Sequence, residues 1–168
     1  EALIYHKKQE TISEQLGDRA GLATCYGNQA LILSDWGRLE EAITLHQKQE
    51  SICDELGDRA GLSRTYGNQA VILQAWGRLE EAMTLFNKVA AIFEELGDRA
   101  GLAICWWNQG LIYKKQGDPH AQAQLWRKAI ETKKAIGIPT ANDEKELKDL
   151  LESTTDGMMN DEREWNDE

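Results

Sequence analysis

The chain has 168 residues, with 29 acids against 19 bases, 41% hydrophobic residues and three cysteines. Those totals suit one domain or one short array, and no apolar run approaches the roughly 18 residues of a membrane span. No basic, then apolar, then small-residue leader opens the sequence, and a net charge of −10 lacks the basic excess of a nucleic-acid binder.

Taken in chain order, the first segment already aligns with a later one. EALIYHKKQE at Glu1–Glu10 matches EAITLHQKQE at Glu41–Glu50. Residues 1–15 therefore read as the second helix of a repeat whose first helix is missing, as in a fragment of a longer protein. The expected bare face holds Ala2, Tyr5 and His6. LGDRAGL then begins at Leu16, Leu56 and Leu96, a fixed spacing of forty residues. YGNQA recurs at Tyr26 and Tyr66, and WGRLEEA at Trp36 and Trp76. Self-similarity at such a period marks stacked supersecondary units. The units are residues 16–55, 56–95 and 96–136, and the first two agree at 26 of 40 positions.

Each unit predicts two helices. Gly17 ends the preceding helix because glycine accepts the left-handed conformation, and Asp18 caps the next by accepting from free backbone N–H groups. A first helix follows over about Arg19–Trp36, with Leu22, Tyr26, Ala30 and Leu33 on one face. Gly37-Arg38 makes the turn. Glu40 and Glu41 open the second helix, over about Leu39–Glu55, at its positive end. Pro119 takes the matching place in the third unit, where its missing N–H is harmless. Trp36 and Trp76 are expected to pack over the seam between repeats. Pro139 stops the last repeat, and residues 140–152 predict a charged capping helix with Leu147, Leu150 and Leu151 inward. Residues 143–168 carry 11 of the acids and 3 of the bases, so the acidity belongs to this end. Residues 153–168 read as an acidic tail that docks on a groove through Trp165.

The spacing of Tyr26, Gln29-Ala30 and Leu33, then Ala42 and His46, resembles the tetratricopeptide repeat family. So do Tyr66, Gln69-Ala70, Leu73, Ala82 and Phe86, and Trp106, Gln109-Gly110, Tyr113, Gln122 and Trp126. Glutamine stands where the family usually has leucine, His46 where it has an aromatic, and the unit is forty residues rather than roughly 34. The longer unit with its Gly-Asp link resembles the subclass of Pins/LGN-type adaptors and bacterial signalling arrays. The resemblance implies an all-α right-handed solenoid of helix–turn–helix repeats.

Function follows from the face opposite the tyrosine stripe. It carries Thr24, Asn28, Leu31 and Asp35, then Arg64, Asn68 and Val71, then Ile104, Trp107, Asn108, Leu111 and Lys115. Three asparagines in register form a ladder whose amides can both donate to and accept from an extended backbone. Gly27 and Gly67 each cost about 1 kcal/mol in a helix interior, which close approach of a ligand backbone would offset. The resemblance also implies ligand contacts at these asparagines. Cys25, Cys53 and Cys105 read as small core residues of a reducing compartment, hence a cytoplasmic protein. No metal ligands share a short spacing, and no catalytic motif or cofactor site is present. The reading is a scaffold or adaptor module gripping an extended peptide or a helix of a protein partner in its concave groove, with no nucleic acid, membrane or enzymatic role. Two alternatives stay open: a sensor segment of a signalling protein such as a STAND-type NTPase or caspase-like effector, and an array that self-associates through its truncated N-terminal repeat.

Overall fold

The computed structural model describes residues 1–164; the expected anchor Trp165 lies outside them. They form α1 (Ala2–Leu16), α2 (Arg19–Asp35), α3 (Leu39–Glu55), α4 (Arg59–Ala75), α5 (Leu79–Leu96), α6 (Arg99–Gln116), α7 (Pro119–Ala135) and α8 (Ala141–Glu164). The fold is all-α and built from helix–turn–helix repeats, the solenoid class. No helix among the described residues is long and apolar enough to cross a membrane.

Local chemistry sets the helix ends. Asp18, Asp58 and Asp98 each accept from the backbone N–H three residues on, at 2.8–2.9 Å. Gly17, Gly57 and Gly97 precede them at φ +66° to +67°, a conformation that a Cβ would strain. Asp118 repeats the cap on Ala121, with Pro119 at the first helical position. Helix α8 continues past Glu152 to Glu164, longer than the expected cap; no proline interrupts the segment.

Contacts group the chain into two units, Glu1–Ile92 and Phe93 onward. In the first, Leu22, Ala23 and Tyr26 of α2 pack with Ile52 and Cys53 of α3 and with Leu62 of α4. A second cluster joins Ala30 and Leu33 of α2 to Ala42 of α3 and Ile72 of α4. Ala30, Ala42, Ala70 and Ala82 are fully buried, as close helix approach requires. Lys48 lies over the Tyr26 ring at 5.2 Å and Lys88 over Tyr66 at 4.7 Å; the three cysteines are buried thiols outside any disulfide.

In the second unit α6 and α7 pair through stacked indoles. Trp107 and Trp126 have centroids 4.2 Å apart and planes within 3°. Lys128 covers Trp106 at 3.8 Å. Helix α8 is strapped to α7 by Lys133–Asp143 at 2.7 Å and Lys134–Glu144 at 2.9 Å. The Thr140 hydroxyl and then Lys134 hold the Glu144 carboxyl below its usual range.

His46 fills the aromatic position of the first repeat without any exposure. Its Nδ1 meets Gln49 Oε1 at 3.0 Å, and its Nε2 has no partner. Burial lowers its pKa from the ordinary 6.5, so the folded chain keeps it neutral. The unfolded chain takes up the proton below that value, and this contribution to stability is lost as pH falls below about 6.5. His46→Phe, the residue found at Phe86, should flatten the acid loss. It should also stabilise by about 1 kcal/mol, since it removes an unpaired buried nitrogen. Urea unfolding at about pH 7.5 and about pH 5.5 checks this: equal pH dependence in both proteins would contradict it.

Candidate functional site

Helix periodicity sorts α2 into two sides. Leu22, Tyr26, Gln29, Ala30 and Leu33 are buried, while Thr24, Leu31 and Asp35 are exposed and Asn28 is half-buried. On α4 the open side is Arg64, Asn68 and Val71, of which Asn68 is again half-buried. α2 and α4 share the same two buried clusters with α3. Leu31 and Val71 present 46% and 50% of their surface, enough to gain from being covered.

The asparagines are chemically distinct from the other amides. Gln29 Nε2 donates to Glu10 at 2.6 Å and Gln69 Nε2 to Glu50 at 3.1 Å. Asn28, Asn68 and Asn108 make no side-chain hydrogen bond among the described residues. Their unpaired polar atoms are not sealed from water, since among the described residues the only such sealed atom is His46 Nε2. They are donors and acceptors held ready on a helix face. Thr24 is not, because its hydroxyl donates to the Ala20 carbonyl at 3.0 Å.

In the second unit Ile104 is exposed at 57%, Lys115 is exposed, and Asn108 and Leu111 are half-buried on α6. Trp107 differs from its expected place. It turns against Trp126 of α7, with Lys133 over it at 5.3 Å, so it is packing more than open surface.

Three other expectations need correction. Gly27 lies against the Gln49 amide, 2.7 Å from where a Cβ would stand; helix packing accounts for it. Trp36 is 57% exposed and Trp76 37%, so neither seals a seam; Trp76 instead carries Arg78 over its ring at 4.9 Å. On α1, Tyr5 is 59% exposed and Ala2 exposed, but His6 is half-buried and bonded to Gln9 at 3.2 Å.

Sequence reasoning missed the links between repeats. Glu50 accepts from Gln69 and Tyr66; burial and then the Glu50 charge push the Tyr66 phenol up to about 12. The signal was available: Gln29 and Gln69 each lie 19 residues after a glutamate, and lysines recur at Lys48, Lys88 and Lys128. A repeated cleft was missed too. One of about 240 Å³ is lined by Leu3, Gln29, Leu33, Leu45 and the Arg38–Glu41 pair. Its counterpart forty residues on, about 280 Å³, has Ile43, Gln69, Leu73, Leu85 and Arg78–Glu81. Both exclude the asparagines. No cluster of metal-ligating residues occurs among the described residues.

Comparison with known proteins places this geometry. A tetratricopeptide repeat model matches residues 37–95 and again 61–135. No curated protein matches the sequence. Aspartyl phosphate phosphatase F from Bacillus subtilis is similar with a TM-score of 0.69 and 21% identity, over 79% of this chain and 34% of its own. BtubC (BKLC) from P. vanneervenii gives 0.64 and 20%, over 70% and 48%. The N-terminal domain of stress-induced protein-1 (STI-1) from C. elegans gives 0.64 and 15%, over 79% and 97%. The chain thus spans about half of BtubC and a third of the phosphatase. At these identities the likeness establishes the fold alone.

Proposed function

The chain belongs to the tetratricopeptide repeat family, and from that premise we propose that it is a protein-interaction module that holds an extended peptide on its asparagine-bearing helix faces, without catalysis. The observation that carries this reading is the unpaired state of Asn28, Asn68 and Asn108 at equivalent positions of α2, α4 and α6. An amide offers two donors and an acceptor, which suits the free main-chain groups of an extended segment. A helical ligand has already bonded those groups internally. Leu31 and Val71 supply apolar contact beside the amides. The forty-residue period and Gly-Asp links suit the longer-helix subclass that includes the Pins/LGN-type adaptors.

Each Asn→Ala change should remove hydrogen bonds worth about 0.5–1.5 kcal/mol net, a roughly threefold to tenfold loss of affinity. The thermal midpoint should hardly move, because these amides bond nothing in the fold. Calorimetry with a peptide isolated on the wild-type chain tests it. Unfolding of the variants would make the asparagines structural, and unchanged affinity would place the ligand elsewhere.

A second reading rests on α1. Ile12 is 54% exposed, while its equivalent Ile52 is 3% exposed under α2, and Tyr5 and Leu16 extend the same bare region. Exposed apolar edges of arrays associate. Light scattering should show a dimer of the wild type that Ile12→Glu dissolves; a wild-type monomer at high concentration would exclude this route.

A further inference from the structure

The third repeat departs from the other two at one buried position. Ala42 and Ala82 stand there in the first two repeats, both at 0% exposure. The equivalent residue of α7 is Gln122, at 2% exposure. Its side chain makes no hydrogen bond among the described residues. Neither amide atom is sealed from water, unlike His46 Nε2, so the little surface that Gln122 keeps includes its amide. That surface opens into a cleft of about 380 Å³ between α6, α7 and α8, inside the second unit. A buried amide left unbonded is unfavourable. Alanine serves at both equivalent positions, so the helix pair itself does not require the amide.

The lining of this cleft carries charge of both signs. Lys114 comes from α6, and Glu146 and Asp149 come from α8. The two acids are three residues apart and so share one face of their helix. None of the three side chains forms an ion pair among the described residues. Trp126 and Leu150 supply the apolar part of the lining. Asn108, Leu111 and Lys115 do not line it, so the cleft is separate from the asparagine face.

We propose that this cleft is a small-molecule site for an amino acid. The ligand's ammonium faces Glu146 and Asp149, its carboxylate faces Lys114, and its polar atoms give the Gln122 amide, both donor and acceptor, the partner that the fold withholds. A bare cation would meet Lys114 as a like charge, and a bare anion would meet two carboxylates. A zwitterion gains from both helices. The volume suits it, since small-molecule sites begin at about 300 Å³.

The standard L-amino acids, titrated singly against the full chain in a thermal-shift assay, supply the probe; calorimetry then measures any that raises the midpoint. At least one should raise it saturably, as a ligand of the native state must. Its N-acetyl derivative lacks the ammonium and its carboxamide lacks the negative charge. Each should bind about tenfold more weakly or worse, the scale of a lost charged hydrogen bond. Lys114→Gln should abolish the preference over the carboxamide, and Glu146→Gln/Asp149→Asn the preference over the N-acetyl derivative. Gln122→Ala, which copies the other repeats, should weaken binding; the exposed rim variants decide the matter if that variant does not fold. The proposal is overturned if no amino acid binds at about 10 mM, a concentration that detects millimolar dissociation constants. Binding that is unchanged in the rim variants puts the ligand elsewhere and overturns it too. Equal affinity of wild type for the amino acid and its carboxamide would show a site for a bare amine, and the zwitterion would be wrong.

Discussion

Trp126→Ala should destabilise the second unit by about 3–5 kcal/mol, the cost of removing a large buried aromatic. The indole is 2% exposed, stacks on Trp107, and donates from Nε1 to the Trp107 carbonyl at 3.1 Å. Its partner across the helix pair is Gly110, where a Cβ would meet the ring at 2.5 Å. Gly110→Ala alone should therefore overpack and cost about 1–3 kcal/mol. The other repeats show the alternative solution: Ala30 with His46, and Ala70 with Phe86. The double change Trp126→Phe/Gly110→Ala copies the second repeat and should recover most of the loss. Chemical unfolding followed by helical circular dichroism reads all three. A double variant no better than Gly110→Ala would show that ring and small residue are not paired.

The second large effect concerns the bond between repeats. Gln69 is 5% exposed and its amide reaches Glu50. Glu50→Leu leaves that amide buried without its acceptor, and should cost about 1–3 kcal/mol. Gln69→Leu restores the residue usual in the family but strips a donor from a charged carboxylate, and should cost about 1.5–3 kcal/mol. Glu50→Leu/Gln69→Leu should cost less than the sum of the two, because the amide and its acceptor become apolar together while the Tyr66 phenol still loses Glu50, leaving a coupling of about 0.5–3 kcal/mol in the double-mutant cycle. Strict additivity would contradict the pairing. The Tyr66 phenol reports it independently: in Glu50→Leu its ionisation should fall from about 12 toward the ordinary 10, visible as tyrosinate absorbance.

What was legible in the sequence is what local chemistry decides. Gly17, Asp18, Gly37 and Pro119 specify turns and caps through their own backbone preferences, so the helices could be placed before any contact was known. The tyrosine stripe separated the core side of α2 and α4 from the open side by periodicity alone. Side-chain reach was not legible. Gly27 and Gly67 are identical in sequence context, yet one is filled by Gln49 and the other is empty, because the difference lies 22 residues away in the facing helix. Trp107 occupies a face position by register but follows Trp126 into the helix pair. Trp36 ends its helix beside a turn where no neighbour rises to cover it. Gln29 and Gln69, unusual in the family pattern, became intelligible only with Glu10 and Glu50.

The central claim, that the asparagine face grips a peptide backbone, has a direct spectroscopic test. In isotope-labelled protein, the side-chain amide protons of Asn28, Asn68 and Asn108 give separate NMR signals. Titration with a peptide isolated on the wild-type chain should shift those signals and slow their exchange with water. The amide of Gln47, exposed on α3, should stay unmoved. The account fails if the asparagine signals stay fixed while Gln47 or the residues lining the Arg38–Glu41 cleft respond.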